Sequence, residues 1–162
     1  MASTSFSILT IPQFVKRMED GLAKSFEMCV KDLRNQTRFS YTDIVKESEK
    51  DNRDTRIALV TSGNTVVFTT RILKKGETAE INMVYTNPKF RGKGYCKTTL
   101  KKIIQKTKAK TYTLDVNKRN IAAIACYEKV GFTNVKASGS NLQMVYKKSS
   151  NTTRKKYKPV PE

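Results

Sequence analysis

The hydrophobic pattern changes its period once, in the middle of the chain, and this change limits the fold more than any other feature. Before it, residues 57–61, 65–72 and 79–86 are rich in β-branched side chains and are separated by compact turns. That pattern predicts three successive antiparallel strands. After it, apolar residues recur at helical spacing over 95–109 and again over 120–130.

A strand at residues 111–116 separates the two late helices, and residues 132–136 and 142–146 are predicted to form a closing hairpin. Hairpins followed by a strand–helix–strand–helix unit indicate an α/β fold, with a mixed, mostly antiparallel sheet flanked by about four helices. With 162 residues and 38% apolar residues, the chain is expected to form one domain, over residues 1–146. The basic segment 147–162 is expected to be a disordered tail.

The N-terminal third has a helical pattern. Apolar residues from Ile11 to Leu33 recur at spacings of three and four, which predicts one long amphipathic helix, capped by Thr10 and weakened at Gly21. A shorter helix is expected near residues 42–50, followed by a solvated loop over 51–56.

Composition excludes several kinds of catalytic site. The chain has no histidine, which removes Ser-His and Cys-His nucleophilic arrangements and the usual general base near neutral pH. Its three cysteines are an odd number without CxxC spacing, so neither a disulfide nor a structural metal is expected. The sequence has no long apolar run and no secretory leader, so we expect a soluble, intracellular protein, cytoplasmic or nuclear, without membrane contact.

The formal net charge is +18 at pH 7, and the field of such a protein attracts polyanions. A nucleic acid, an acidic protein face and a phosphorylated cofactor are all candidate partners. The tail resembles a nuclear-localisation or phosphate-contacting segment. The sequence has no helix-turn-helix spacing, zinc-finger ligands or RNP-like aromatic strand. A basic nucleic-acid-associated binding protein is therefore one alternative function.

Residues 87–97 join a predicted strand to a predicted helix and contain Gly92 and Gly94. Glycines at such a junction let successive amide groups and the positive end of the helix face one point, which suits a pyrophosphate. The segment is not a Walker loop, and it lacks a complete GxGxxG. Taken alone, it is equally compatible with an ordinary basic turn.

Two motifs, in order along the chain, resemble those of the GNAT acetyltransferase superfamily. The first, Arg-x-x-Gly-x-Gly/Ala in that family, is matched by Arg91 and Gly94, with Cys96 at its last position. The second is Asn-x-x-Ala-x-x-x-Tyr-x-Lys-x-Gly-Phe. Its matches are Asn120, Ala123, Tyr127, Lys129, Gly131 and Phe132. The resemblance implies the GNAT fold and an N-acetyltransferase that moves the acetyl group of acetyl-CoA to a primary amine by direct attack in a ternary complex, without a metal.

The resemblance also implies a cofactor site. Backbone amides of the loop would hold the pyrophosphate, and the pantetheine arm would enter where the strand before the loop separates from the next one. Asn120 would bind the arm from the other side. The implied cofactor-binding residues are Val84, Tyr85, Thr86, Arg91, Gly92, Lys93, Gly94, Tyr95, Cys96, Lys97, Asn120 and Ala123.

Two catalytic residues are implied. Tyr127 would protonate the departing thiolate, the alternative being a core tyrosine with its hydroxyl at the rim. Some relatives carry a glutamate as general base where this chain has Asn82. Glu80, on the same strand face, is the first candidate to replace it, with Tyr85 or a water molecule as alternatives and a surface charge as the simpler interpretation. Loss of that glutamate leaves open a non-catalytic sensor of acetyl-CoA.

The acceptor is not readable from the sequence. A small amine, a polyamine and a protein amino group all remain candidates. The oligomeric state is not readable either, and a homodimer is one candidate, because dimers through the late strands are common among similar proteins.

Overall fold

The computed structural model describes residues 3–34 and 40–148, except for the side chains of residues 31–34. The strands are β1 (Ser5–Leu9), β2 (Asp54–Ser62), β3 (Thr65–Lys75), β4 (Thr78–Thr86), β5 (Thr111–Asn117), β6 (Thr133–Ser138) and β7 (Asn141–Lys147). The α-helices are α1 (Ile11–Arg17), α2 (Ala23–Arg34), α3 (Tyr41–Lys50), α4 (Tyr95–Lys106) and α5 (Ile121–Val130). The part of the predicted tail from residue 149 onwards lies outside the described residues.

The seven strands form one sheet in the order β1-β2-β3-β4-β5-β7-β6. Among the strands of the described residues, only the β4–β5 pair is parallel, and the other neighbours are antiparallel. One core lies between the sheet and α4 and α5, and a second lies between the sheet and α1, α2 and α3. The predicted α/β architecture with a mixed, mostly antiparallel sheet is therefore confirmed.

The predicted long N-terminal helix is present but broken. Thr10 caps it, because the Thr10 hydroxyl accepts from the Gln13 amide at 3.2 Å and the Gln13 side chain accepts from the Thr10 amide at 2.9 Å. A π-helical turn, Met18–Leu22, separates α1 from α2, and Gly21 within it has φ of 120°. The apolar stripe nevertheless continues across the break, so both helices bury the same side against the sheet.

Two local predictions at the β1–β2 edge need correction. The short apolar stretch before Thr10 is strand β1, which pairs with β2, and a five-residue edge strand is too short to show a clear period. The solvated loop expected over 51–56 ends earlier than predicted, because β2 begins at Asp54. Thr55 within it is buried, whereas its strand neighbours Asp54 and Arg56 form an ion pair at the surface.

The expectation of no disulfide was wrong. Cys96 and Cys126 are joined by a disulfide, with their Cα atoms 6.4 Å apart, whereas Cys29, a buried residue of α2, belongs to no disulfide. Thirty positions separate the pair in sequence, and contact arises only because α4 and α5 pack side by side on the sheet. Neither an odd count of cysteines nor their spacing carries that information. Among the described helices, none has the length and apolar character needed to span a bilayer.

Candidate cofactor-binding cleft

The glycine-rich loop leads from β4 into the first turn of α4. Asn87 anchors its start, because the Asn87 side chain accepts from the Lys89 amide at 3.0 Å and donates to the Val66 carbonyl at 2.9 Å. Gly92 and Gly94 then adopt left-handed backbone conformations, with φ of 76° and 85°. Residues other than glycine adopt this conformation only at a cost, so the path of the loop depends on these two residues.

The amides at the start of α4 are available to a ligand. Gly94 occupies the capping position, and no side chain caps the helix there. The first hydrogen bond of α4 runs from the Thr98 amide to the Gly94 carbonyl at 3.0 Å. The preceding amides therefore have no acceptor within the helix, and they combine with the helix dipole into a site for an anion.

Strands β4 and β5 separate beside this loop. Their pairing is confined to Thr78–Glu80 of β4 and Thr111–Thr113 of β5. Beyond those residues, within the part of the chain that the structure describes, β4 pairs only with β3 and β5 pairs only with β7. A bulge at Met83, whose φ is 54°, accompanies the separation, and the Thr70 hydroxyl donates to the Asn82 carbonyl at 2.8 Å. One backbone edge of β4 therefore faces a wedge-shaped gap in the sheet.

Helix α5 forms the other side of the gap. Asn120 caps it, and its side-chain oxygen accepts from the Ala123 amide at 3.2 Å. Tyr127 is only 5% exposed, with its ring 6.1 Å from that of Phe132, and burial raises the pKa of Tyr127 to about 12. Within the described part of the chain, the Tyr127 hydroxyl has no hydrogen-bond partner. A buried hydroxyl that no protein group satisfies can form its hydrogen bond with a bound ligand or with water.

These parts enclose a cleft of about 570 Å³. Its lining includes every predicted cofactor-binding residue except Tyr85 and Lys93, and it also includes Tyr127. The Tyr85 side chain points to the opposite core, against α1 and α2, and the Lys93 ammonium lies 5.7 Å from the centre of the Phe90 ring. Sequence reasoning missed five residues of the lining. They are Phe90, Ala122, Ala125, Cys126 and Lys129.

A signal for four of those five residues exists. Positions 122, 125, 126 and 129 fall at i, i+3, i+4 and i+7 of α5 and so share one face of the helix. A search for hydrophobic periodicity does not detect this face, because its side chains range from apolar alanine to charged lysine.

Glu80 does not line the cleft. It lies on the opposite face of the sheet, where its carboxylate accepts from Arg53 at 2.7 Å and from the Asn82 amide group at 3.2 Å. Arg53 also binds Asp51 through two hydrogen bonds of 2.8 Å, which hold the pKa of the Asp51 carboxyl well below its usual range. Hydrogen bonds to Asp51 and Glu80 likewise raise the pKa of Arg53.

This arrangement extends to α3. Arg71 donates to the Asn82 side-chain oxygen at 3.0 Å and to Glu47 at 3.3 Å. We call the six residues the β4 polar network: Glu47, Asp51, Arg53, Arg71, Glu80 and Asn82. The network occupies the sheet face opposite Tyr127, at the point where β4 and β5 separate.

The model of the acetyltransferase (GNAT) family matches residues 17–132, a segment that contains the whole cleft lining and the β4 polar network. The chain belongs to the GNAT acetyltransferase family. No curated protein sequence matches it.

Solved structures similar to this GNAT protein include three acetyltransferases. The GNAT domain of S. lividans PAT is 15% identical, with a TM-score of 0.70 over 89% of this chain and 90% of that chain. PaiA N-acetyltransferase from Thermoplasma acidophilum, in complex with coenzyme A, is 18% identical, with a TM-score of 0.62 over 90% and 99%. Spermidine N-acetyltransferase from Vibrio cholerae, in complex with CoA and spermine, is 13% identical, with a TM-score of 0.61 over 90% and 95%. At these identities the likeness supports the fold.

The GNAT domain has a second cavity, of about 560 Å³, between the C-terminal end of α4 and strands β1, β2 and β3. Its lining combines an apolar floor with four basic side chains and one acidic one. The residues are Phe6, Ile8, Asp54, Arg56, Ile72, Lys74, Lys106, Thr107 and Lys108. No predicted site residue belongs to it. Within the described ranges, no group of three or more Cys, Asp or Glu side chains is arranged to hold a metal ion.

Proposed function

We propose that this GNAT protein transfers the acetyl group of acetyl-CoA to a primary amine by direct attack within a ternary complex. The observation that carries the proposal is that one cleft joins the left-handed glycine loop, the separation of β4 from β5, and the buried hydroxyl of Tyr127. An anion site, an unpaired strand edge and a proton donor are the three parts that a phosphorylated thioester donor requires.

Acetyl-CoA would lie across the edge of the sheet. The amides at the start of α4 would receive the pyrophosphate, and Arg91 and Lys97 on the cleft wall would add positive charge. The pantetheine arm would follow the backbone of β4 from Val84 to Thr86, next to Asn120. The thioester would then lie in the gap beside Tyr127.

Tyr127 would act as the general acid. When the amine attacks the acetyl carbonyl carbon, the C–S bond breaks and the sulfur leaves as a thiolate that needs a proton. A tyrosine whose pKa is raised to about 12 stays protonated throughout the neutral range. The hydroxyl is therefore always ready to donate, and protonation of the sulfur prevents the reverse attack.

The acceptor amine must lose a proton, because aliphatic amines are mostly protonated near pH 7. Glu80 remains the first candidate for the base, directly or through water, because the acceptor would approach from the face of the sheet that carries the β4 polar network. Arg53 and Asn82 already bind its oxygens, so Glu80 must act in competition with them. Tyr85 and a water molecule remain the alternatives.

Small amines and polyamines are the first acceptors to test. A spermidine N-acetyltransferase is among the proteins with a similar fold, and the acidic members of the β4 polar network offer carboxylates to a cationic amine. The overall charge of +18 opposes that choice, since it repels cations at a distance. Protein amino groups therefore belong in the same panel.

The experiment combines calorimetry with acetyl-CoA and release of free thiol in the presence of spermidine, a small monoamine and a lysine-containing peptide. We expect binding at micromolar concentration and thiol release with at least one amine. Binding without release from any amine would favour the sensor, and no binding would contradict the proposal. Glu80→Gln decides the base: a kcat reduced about 100-fold supports Glu80, and unchanged turnover assigns the role to water or Tyr85.

The second cavity favours one further candidate function, contact with a nucleic acid. Arg56, Lys74, Lys106 and Lys108 surround it with positive charge, and the apolar floor suits a base. The check is fluorescence anisotropy with a labelled single-stranded oligonucleotide at two salt concentrations. Lys106→Glu with Lys108→Glu should weaken binding more than the exposed pair Lys46→Glu with Lys50→Glu on α3. Equal effects would reduce the interaction to net charge alone.

A further inference from the structure

The disulfide lies in the wall of the cofactor-binding cleft. Cys96 belongs to the first turn of α4, directly after the glycine loop, and Cys126 precedes Tyr127 on α5. Both line the cleft, and both are only partly buried. The bond therefore joins the helix that would receive the pyrophosphate to the helix that carries the proton donor.

The surroundings of Cys96 favour redox chemistry. Its place in the first turn of a helix, next to Lys97 and close to Arg91 and Lys93 in sequence, stabilises a thiolate over a thiol. Reactive cysteines of redox sensors combine these features: thiolate character, access to solvent and a second cysteine within reach. Cys29, a residue of α2 that is only 1% exposed, has neither access to solvent nor a bond to a second cysteine.

We propose that Cys96 and Cys126 form a thiol–disulfide redox site, whose oxidised form fixes the two walls of the cleft and whose reduction by a dithiol weakens acetyl-CoA binding. The second half of this statement depends on the proposed function, and the first half does not.

The reaction is a two-electron exchange. A thiolate of the dithiol attacks Sγ of Cys126, the S–S bond breaks, and Cys96 leaves as a thiolate, because the better stabilised thiolate is the better leaving group. The second thiol of the reagent then attacks its own mixed disulfide and releases Cys126. The dithiol becomes a cyclic disulfide, and its two protons end on Cys96 and Cys126.

Reduction changes the relation between α4 and α5. Two unbonded sulfur atoms cannot stay as close as bonded ones, so the helices or side chains must rearrange by an ångström or more, and a constraint on their relative position is lost. Binding a ligand that touches both helices then includes the cost of ordering them. We expect the dissociation constant of acetyl-CoA to rise about fivefold on reduction. By linkage, acetyl-CoA must favour the disulfide over the dithiol by the same factor.

The first test counts thiols in the full chain. After oxidation with diamide, unfolding and alkylation with N-ethylmaleimide, mass spectrometry should show one modified cysteine, Cys29, and prior reduction should give three. Cys29→Ala is the control, with none and two. Two or three modified cysteines in oxidised wild type would overturn the proposal, whether or not acetyl-CoA binds.

The second test measures coupling. Acetyl-CoA has no free thiol, so it can be titrated into both forms without reducing the disulfide. Calorimetry should give about fivefold weaker binding to the reduced protein, and redox equilibration with dithiothreitol should shift about fivefold towards the disulfide when acetyl-CoA is present. Cys126→Ala, which removes only one sulfur, should bind alike with and without dithiothreitol. Equal affinity of the two wild-type forms would overturn the coupling, and absence of binding to both would instead contradict the proposed function.

Discussion

The two faces of the sheet at the end of β4 differ in which groups form them, backbone on one face and side chains on the other. On the α4–α5 face, the cleft depends on backbone: two left-handed glycines, uncapped helix amides and an unpaired strand edge. On the α1–α3 face, the β4 polar network depends on side chains from β3, β4, α3 and the segment before β2. A site that binds its ligand through the backbone requires particular residues at particular spacings in the sequence. A site that binds through side chains can be formed by many different combinations of residues.

The largest effect is expected at Tyr127, where a substitution can distinguish a role in proton donation from a role in packing. Tyr127→Phe should lower kcat about 100-fold and leave acetyl-CoA binding nearly unchanged, because only a hydroxyl is lost. Measured amine-dependent thiol release checks this.

Tyr112→Phe is the matched control on the same face. The Tyr112 hydroxyl binds the Thr107 side chain at 2.6 Å and the Ile104 carbonyl at 3.3 Å. Its loss should lower the free energy of unfolding by about 1 kcal/mol and leave kcat unchanged. Full activity in Tyr127→Phe would make that residue a core tyrosine and nothing more.

The next effect tests whether backbone conformation carries cofactor recognition. Gly94→Ala has room for its methyl group but must keep a φ of 85°, which costs about 1–2 kcal/mol. We expect the loop to relax and acetyl-CoA to bind about tenfold more weakly in calorimetry.

Gly63→Ala, in the β2–β3 turn, imposes a similar conformation at φ of 59° away from the cleft. It should lose similar stability in denaturant unfolding and retain full affinity. The same affinity loss in both variants would show that stability, and not the loop, determines binding.

A smaller effect is expected on the side-chain face. Arg53→Met removes the cation that holds Glu80 and should raise KM for the acceptor about threefold without changing acetyl-CoA affinity. Arg53 and Glu80 keep 30% and 35% of their side-chain surface exposed, so the loss of stability should stay below about 1 kcal/mol.

Arg56→Met is its control, since Arg56 pairs with Asp54 and lines the second cavity. A change in acetyl-CoA affinity in Arg53→Met, but not in Arg56→Met, would show that the two faces are not independent.

The smallest expected effect concerns pH, because kcat should stay nearly constant on the alkaline side. Because the pKa of Tyr127 is raised to about 12, kcat should not fall between pH 7 and pH 10 through loss of the proton donor. Stability should decline above pH 10, where the unfolded tyrosine ionises and the folded one does not. Tyr127→Phe should lack this part of the decline. Ultraviolet titration of tyrosinate checks the assignment, and a Tyr127 signal appearing near pH 10 would contradict it.

The contrast between the two faces also explains why the cleft was easier to predict from the sequence than the β4 polar network. Gly92, Gly94, Asn120 and Tyr127 lie within two motifs whose order and spacing indicated the cleft before any coordinates. The separation of β4 from β5 followed from the same resemblance, although the left-handed Met83 in the accompanying bulge has no sequence signature.

Other features depend on contacts between distant segments. The disulfide requires two helices to pack side by side, and Glu80 forms its ion pair with Arg53, which lies in a segment predicted as a solvated loop. Edge strand β1 is recognised only by its pairing with β2. Neither hydrophobic periodicity nor a local motif contains information about these long-range contacts. The contacts can therefore be seen only in the folded structure.

The most direct test of the proposed cofactor site is hydrogen exchange of backbone amides with and without acetyl-CoA. We expect slower exchange in residues 92–97 and 120–123, where uncapped amides and the Asn120 cap face the cleft, and unchanged exchange in residues 106–108 of the second cavity. Protection confined to residues 106–108, or none in residues 92–97 at saturating acetyl-CoA, would contradict the proposed cofactor site.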